Sequence, residues 1–157
     1  LNAEFYSSYL YLSMSAYFHS MDLDGFAHWM RVQTQEELLH AMKVYDYINE
    51  RGGRVILKQI DGPSTEWASP LEAFEEAYTH EQKMTKMINE LTSMAIEEKD
   101  HATNVFLQWF INEQVEEEAN VKSVVQTLKM IGDAKDSLFF YDRELAKRTS
   151  TMPMATQ

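Results

Sequence analysis

The second long helical stretch of this 157-residue chain puts an acid and a base where an oily stripe should run. Stepping by three or four residues, one face reads Phe26, Met30, Gln33, Glu37, His40, Val44, Ile48. That spacing keeps side chains on one side of an α-helix. The stripe is apolar at both ends and ionisable in the middle. A carboxylate taken out of water costs several kcal/mol unless something compensates it. Any fold that buries this face must therefore supply a partner.

Three more segments repeat the pattern. One face near the start reads Leu1, Glu4, Ser8, Tyr11, Ser15, Phe18; another reads Phe74, Tyr78, Glu81, Thr85, Ile88; a third reads Phe106, Phe110, Gln114, Glu117, Val121, Leu128. Each carries one acid, and none carries a Lys or Arg. Inward carboxylates without inward cations repel strongly in a medium of low dielectric. A bound metal ion removes the conflict, because it becomes the dominant local charge and keeps the acids ionised. For a single stripe, a solvated glutamate on a misphased helix explains the pattern equally well. Four such coincidences favour the metal.

Composition narrows the choice of fold and partner. With 5 Gly and 3 Pro, and with Ala, Leu, Met, Glu and Lys recurring, the chain favours long helices. The 10 Met residues are read as core filler rather than ligands. A net charge of -11 disfavours nucleic acid and anionic membranes as partners and favours cations. Without Cys there are no disulfides and no thiolate metal sites, which fits a reducing, cytoplasmic setting. The longest stretch free of Asp, Glu, Lys and Arg, Phe5 to Met21, is too rich in Ser and Tyr to span a bilayer. Leu1 opens in mid-helix and follows no basic leader, so further residues are expected before it.

The breaks divide the chain into five helical segments. The first runs to about Met21 and ends at the turn Asp22-Leu23-Asp24-Gly25; the second runs from there to about Glu50, where Gly52-Gly53 stops it. Arg51 to Ser69, with the β-prone run Val55-Ile56-Leu57 inside it, is a long connection. Ser69 as N-cap and Pro70 at the first helical position start a third helix that continues through Met94. A break from Glu97 to Asp100 leads to the fourth, which Gly132 ends. Asp133 is expected to cap a short fifth helix from Ala134 to about Lys147, ahead of a disordered tail over 149–157. Two helical hairpins joined by a long crossover predict an all-α four-helix bundle in one domain over residues 1–148. Measured from the turns, the four anomalous acids fall at similar depths, near mid-bundle.

Carboxylates with one imidazole form a hard, oxygen-rich set suited to iron or manganese. Glu37-Leu38-Leu39-His40 alone is a weak signal; set beside Glu4, Glu81 and Glu117 it becomes strong. These residues carry a resemblance that covers nearly the whole chain. Asn2-Ala3-Glu4 with Tyr11, Glu36 to His40, His80-Glu81, and the run from Gln108 to Glu118 resemble the non-haem ferritins of bacteria and archaea. The resemblance implies a ferritin-like four-helix bundle with a long crossover and a short fifth helix. It also implies a ferroxidase centre that oxidises Fe(II) with dioxygen or hydrogen peroxide and stores the ferric product as mineral. One iron would be held by Glu4, Glu37 and His40. A second would be held by Glu81 and Glu117, with Glu37 bridging and Gln114 nearby. A third, weaker position would use Glu36, Glu113, Glu116 and Glu117. The assembly implied is a hollow shell of identical chains, typically of twenty-four subunits, with the fifth helix near a symmetry axis.

Departures from related patterns are informative. Bacterioferritins repeat Glu-x-x-His on the fourth helix, where this chain has Gln114 and Glu117. They also bind haem through a methionine that Leu38 replaces here, so no haem is expected. Tyr11 resembles the family tyrosine beside the centre, as hydrogen-bond partner or electron donor; a plain core tyrosine explains it almost as well. Trp109 is read as packing, Glu118 as solvent-facing, His80 as turned away from Glu81, and His19, His28 and His101 as surface residues. The rival readings are another di-iron oxidase or peroxidase without mineral storage, and a helical bundle with solvated acids.

Overall fold

Scarce helix breakers and period-3.6 stripes give what the sequence predicts, an all-helical chain. The computed structural model describes residues 1–150 and contains α1 (Asn2–Ser20), α2 (Asp24–Glu50), α3 (Pro70–Glu97), α4 (His101–Ile131) and α5 (Lys135–Leu145). Among the described residues there is no β-strand, and Val55-Ile56-Leu57 lies in an extended but unpaired connection. No helix among them is long and apolar enough to cross a membrane. The expected tail falls mostly on residues 151–157, outside the described residues.

Helix ends follow from backbone chemistry. Asp22, Gly52 and Lys99 take positive φ (58°, 73° and 56°), the left-handed turn that lets the next amides reach back to the last carbonyls. Leu23 N–H thus bonds Phe18 O, Gly53 N–H bonds Ile48 O, and Asp100 N–H bonds Ala95 O. The first and third stops use no glycine at the positive-φ position, yet all three fall at the breaks expected from the sequence. The third helix continues through Met94 and ends at Glu97, where the break was expected. Ser69 accepts from Glu72 N–H with Pro70 behind it, the predicted start of α3. Asp133 does not cap α5. The N-cap is Ala134 and makes no side-chain capping bond, so the helix starts at Lys135 and is shorter than expected.

Contacts group the described residues into two units, 1–67 with 133–150, and 68–132. In the first, α1 and α2 form a hairpin around buried Leu10, Met14, Phe18, Phe26, Ala27 and Met30. Phe18 and Phe26 stack at 5.2 Å between ring centroids. Each such ring withdrawn from water stabilises the pair by roughly 1.5–3 kcal/mol. Small hydroxyls on α1 let the backbones approach: Ser8 Oγ donates to Thr34 O (3.0 Å) and Ser15 Oγ to Ala27 O (2.9 Å). The connection after α2 lies along α1, where Ser13 Oγ donates to Ser64 O and Tyr17 Oη to Trp67 O.

The fifth helix returns to the start of α2. Asp142 Oδ1 accepts from Gly25 N–H (2.8 Å) and Phe26 N–H (3.0 Å), so an aspartate distant in sequence caps α2. No side chain of α2's own N-cap does this. Gly25 is required by the approach: a Cβ there would lie 1.7 Å from Asp142 O. Tyr141 packs edge-on against Phe26, and Leu145 is buried.

In the second unit, α3 and α4 form a hairpin with Phe74, Ala77, Met84 and Ile88 buried on one helix and Leu107, Phe110, Val121 and Leu128 on the other. Asp100 caps α4 through Thr103 N–H and Thr103 Oγ1. His80 is buried, and burial, then the charge of Lys83, lowers its imidazole from 6.5 to about 4 against the opposing pull of Glu76.

Two predictions follow from these contacts. Asp142→Ala should lower stability by about 1 kcal/mol, the usual worth of a helix cap, and speed hydrogen exchange at the Gly25 and Phe26 amides; unchanged exchange would refute the cap. Because folding lowers the His80 pKa, protons bind the unfolded chain better. Stability from this group is complete above 6.5 and is lost as pH falls toward 4. His80→Gln should therefore show a smaller drop in Tm between pH 7 and pH 5 than the parent, measured by circular dichroism.

Candidate metal centre

Within the first unit, the acid of α1 meets the acid and base of α2. Glu4, Glu37 and His40 each offer a ligand atom, and these atoms lie within 4.8 Å of one another. All three are buried, with 5%, 2% and 1% of their surface exposed. The i, i+3 spacing on α2 brings Glu37 Oε2 to 3.4 Å from His40 Nδ1. The other carboxylate oxygen, Oε1, accepts from Gln33 Nε2 at 2.9 Å, one turn earlier on the same stripe. The Nε2 atom of His40 is buried, and among the described residues nothing hydrogen-bonds to it. Tyr11, fully buried, lies two turns along α1 from Glu4.

The electrostatics of this cluster are those of crowded, buried acids. Burial pushes the Glu4 carboxyl above its ordinary value of 4.5, against the pull of His40 and a hydrogen bond with Glu37. Two carboxylates packed together dry favour holding a proton until a metal displaces it. Two carboxylates and one imidazole fit a hard divalent ion such as Fe(II) or Mn(II), with Zn(II) also accepted.

The second unit holds its own buried group. Glu81 on α3 is joined to Gln114 on α4, whose Nε2 donates to Glu81 Oε2 (3.2 Å), Glu81 O (3.2 Å) and Thr85 Oγ1 (3.3 Å). Glu117, one turn after Gln114, is also buried, whereas Glu113 is half-buried and Glu116 exposed. Glu118 does not face open solvent as expected. It is half-buried and accepts a hydrogen bond of 2.5 Å from Thr85 Oγ1, because the threonine on α3 needs an acceptor where the two helices meet. Trp109 packs edge-on against Phe110.

Glu36 has partners of its own. It is buried in an ion pair with Arg148, 2.7 Å from Nη2, and its other oxygen accepts from Ser150 Oγ. Sequence reasoning assigned Arg148 no role, since an arginine in a terminal segment carries no periodicity. Gln33 was legible as a polar break in an oily stripe, four residues before Glu37, and its hydrogen bond to that acid is the reason for the break.

The chain was compared with known proteins. A model of the ferritin-like domain matches residues 1–131. A bacterial non-haem ferritin of Bacteroides fragilis is 47% identical over 148 residues, 94% of this chain and 92% of that protein. One from Staphylococcus saprophyticus is 41% identical over 149 residues, 95% and 89%. Among solved structures, an open-pore ferritin from Archaeoglobus fulgidus is 57% identical, covering 94% of this chain and 91% of that one with a TM-score of 0.93. A humanised archaeal ferritin reaches 0.95 at 56% identity, covering 96% and 92%. The fold class read from the sequence, an all-α ferritin-like bundle of four long helices and a short fifth, is theirs. Its stripes, its buried Glu4–Glu37–His40 group and these likenesses place the chain in the ferritin family.

Proposed function

We propose that this chain is an iron-storage ferritin subunit with ferroxidase activity. It binds Fe(II), oxidises it with dioxygen or hydrogen peroxide and retains the ferric product as mineral. The buried Glu4–Glu37–His40 cluster, with ligand atoms within 4.8 Å, carries the reading. These three residues hold one iron, and Glu81, Glu117 and Gln114 supply the ligands of a second. Glu113 and Glu116, with Glu117, are the residues of a weaker third position, and Tyr11 serves beside the first. Residues 1–148 act as one domain within a shell of many identical chains, on the order of twenty-four as in the family, in the cytoplasm.

The chemistry suits the donors. Each Fe(II) gives up one electron; two electrons and two protons convert dioxygen to hydrogen peroxide, or peroxide to water. Anionic oxygen ligands stabilise the ferric ion over the ferrous one by charge and hardness, so the cluster lowers the cost of oxidation. Gln33 holds Glu37 in place by its amide, and burial excludes bulk water from the ligands.

Aerobic Fe(II) addition to the native assembly is the decisive test. Fast oxidation with retention of many irons per chain is expected. A single cycle without retention would mark a di-iron oxidase, and no acceleration would leave a scaffold. Glu37→Ala and His40→Ala should slow the initial oxidation by more than about tenfold while far-ultraviolet circular dichroism stays unchanged.

A second expectation concerns protons. Folding raises the Glu4 pKa, so the stability this group contributes is present below 4.5 and is lost as pH rises through its raised value. A cation at the cluster reverses that loss. Zn(II) added to the metal-free protein should raise Tm more at pH 7 than at pH 5 and release protons, and Glu4→Gln should diminish the release in a pH-stat.

A further inference from the structure

Arg148, just beyond α5, reaches into α2 beside the metal cluster. Its guanidinium lies 3.9 Å from the centroid of the Trp29 ring, and Nη1 donates to Trp29 O. Nη2 donates both to Gln33 Oε1 (2.6 Å) and to Glu36 Oε2 (2.7 Å). The side chains of Arg148 and Glu36 are only 15% and 3% exposed, so the pair is held largely away from water. His28 Nε2, hydrogen-bonded to Arg148 O, and Ser150 Oγ, donating to Glu36 Oε1, fasten the segment on either side.

The chemistry of these groups dictates an order. A guanidinium offers donors and no acceptor. Gln33, buried beside it, must therefore present its oxygen to Arg148. That leaves the amide nitrogen facing Glu37 Oε1, where it donates at 2.9 Å. The reversed amide would set NH₂ against the guanidinium and oxygen against the carboxylate, and both contacts repel. With Oε1 so engaged, Glu37 keeps Oε2 toward His40, at 3.4 Å from Nδ1. The chain Arg148–Gln33–Glu37 thus runs from the segment after α5 to a member of the metal cluster.

We propose that Arg148 is a positioning residue for the metal centre: through Gln33 it fixes the orientation of Glu37, and it takes Glu36 as its counter-ion, so that Glu36 is not an iron ligand. This rests on the reading of Glu4, Glu37 and His40 as ligands, and it withdraws Glu36 from the third position that the family resemblance implies. Partners one step removed from a metal typically change its affinity by about 10–100-fold when removed.

Co(II) binding to the full chain tests this, followed through its visible absorption bands, which report ligand geometry without turnover. Arg148→Ala and Gln33→Leu should each weaken the tightest Co(II) by about 10–100-fold and alter its spectrum. The double variant should be no weaker than Gln33→Leu alone, because both act through one chain of hydrogen bonds. Arg148→Lys keeps the charge but not the fork, and should recover affinity only in part. Glu36→Gln should leave the number of bound Co(II) ions unchanged. If Arg148→Ala fails to fold, Gln33→Leu and Arg148→Lys decide the matter. Parental affinity and spectrum in Gln33→Leu or in a folded Arg148→Ala would overturn the proposal, as would additive effects or loss of one Co(II) in Glu36→Gln. Failure of the unsubstituted chain to bind Co(II) at Glu37 and His40 would instead overturn the ligand reading beneath it.

Discussion

Desolvated carboxylates govern this molecule. Glu4 and Glu37 sit beside one another with almost no solvent contact. Taking an ionised carboxylate out of water without full compensation is among the most costly things a small fold can do. Burial accordingly pushes the Glu4 carboxyl above its ordinary value. Helices make the arrangement possible, because rigid rods with satisfied backbones can hold charged groups close without collapsing around them. A cation held between such carboxylates would offset that cost, which would link stability and metal affinity through the same atoms.

The same logic explains why the buried acids of each unit are held by amides rather than lysines. Gln33 and Gln114 each donate one N–H to a buried acid, at 2.9 Å and 3.2 Å. An amide steadies a carboxylate without cancelling its charge, leaving that charge for a metal. The full positive charge, Arg148, is paired instead with Glu36, outside the Glu4–Glu37–His40 group. Separating cation from ligand acids by one amide keeps both satisfied.

Much of this was legible in the residue order, and the reasons are local. Stripe periodicity found Glu4, Glu37, His40, Glu81, Gln114 and Glu117, all of them buried, because each interrupts an apolar face that would otherwise be continuous. Ser69-Pro70 and Gly52-Gly53 marked helix ends because their side chains permit few alternatives. What escaped had no local signature. Thr85 claims Glu118 only because two helices meet there. Asp142 and Arg148 act on α2 from more than a hundred residues away, a separation no periodic pattern encodes.

That separation has a consequence for how the protein is made. Ribosomes deliver a chain from its amino end, so α2 emerges long before α5. Until Asp142 leaves the exit tunnel, the first amides of α2 have only water to bond, and Gln33 lacks the guanidinium that orients it. The hairpin of α1 and α2 thus lacks two of its side-chain partners, the Asp142 cap and the Arg148 donor to Gln33, until the segment that carries them has emerged.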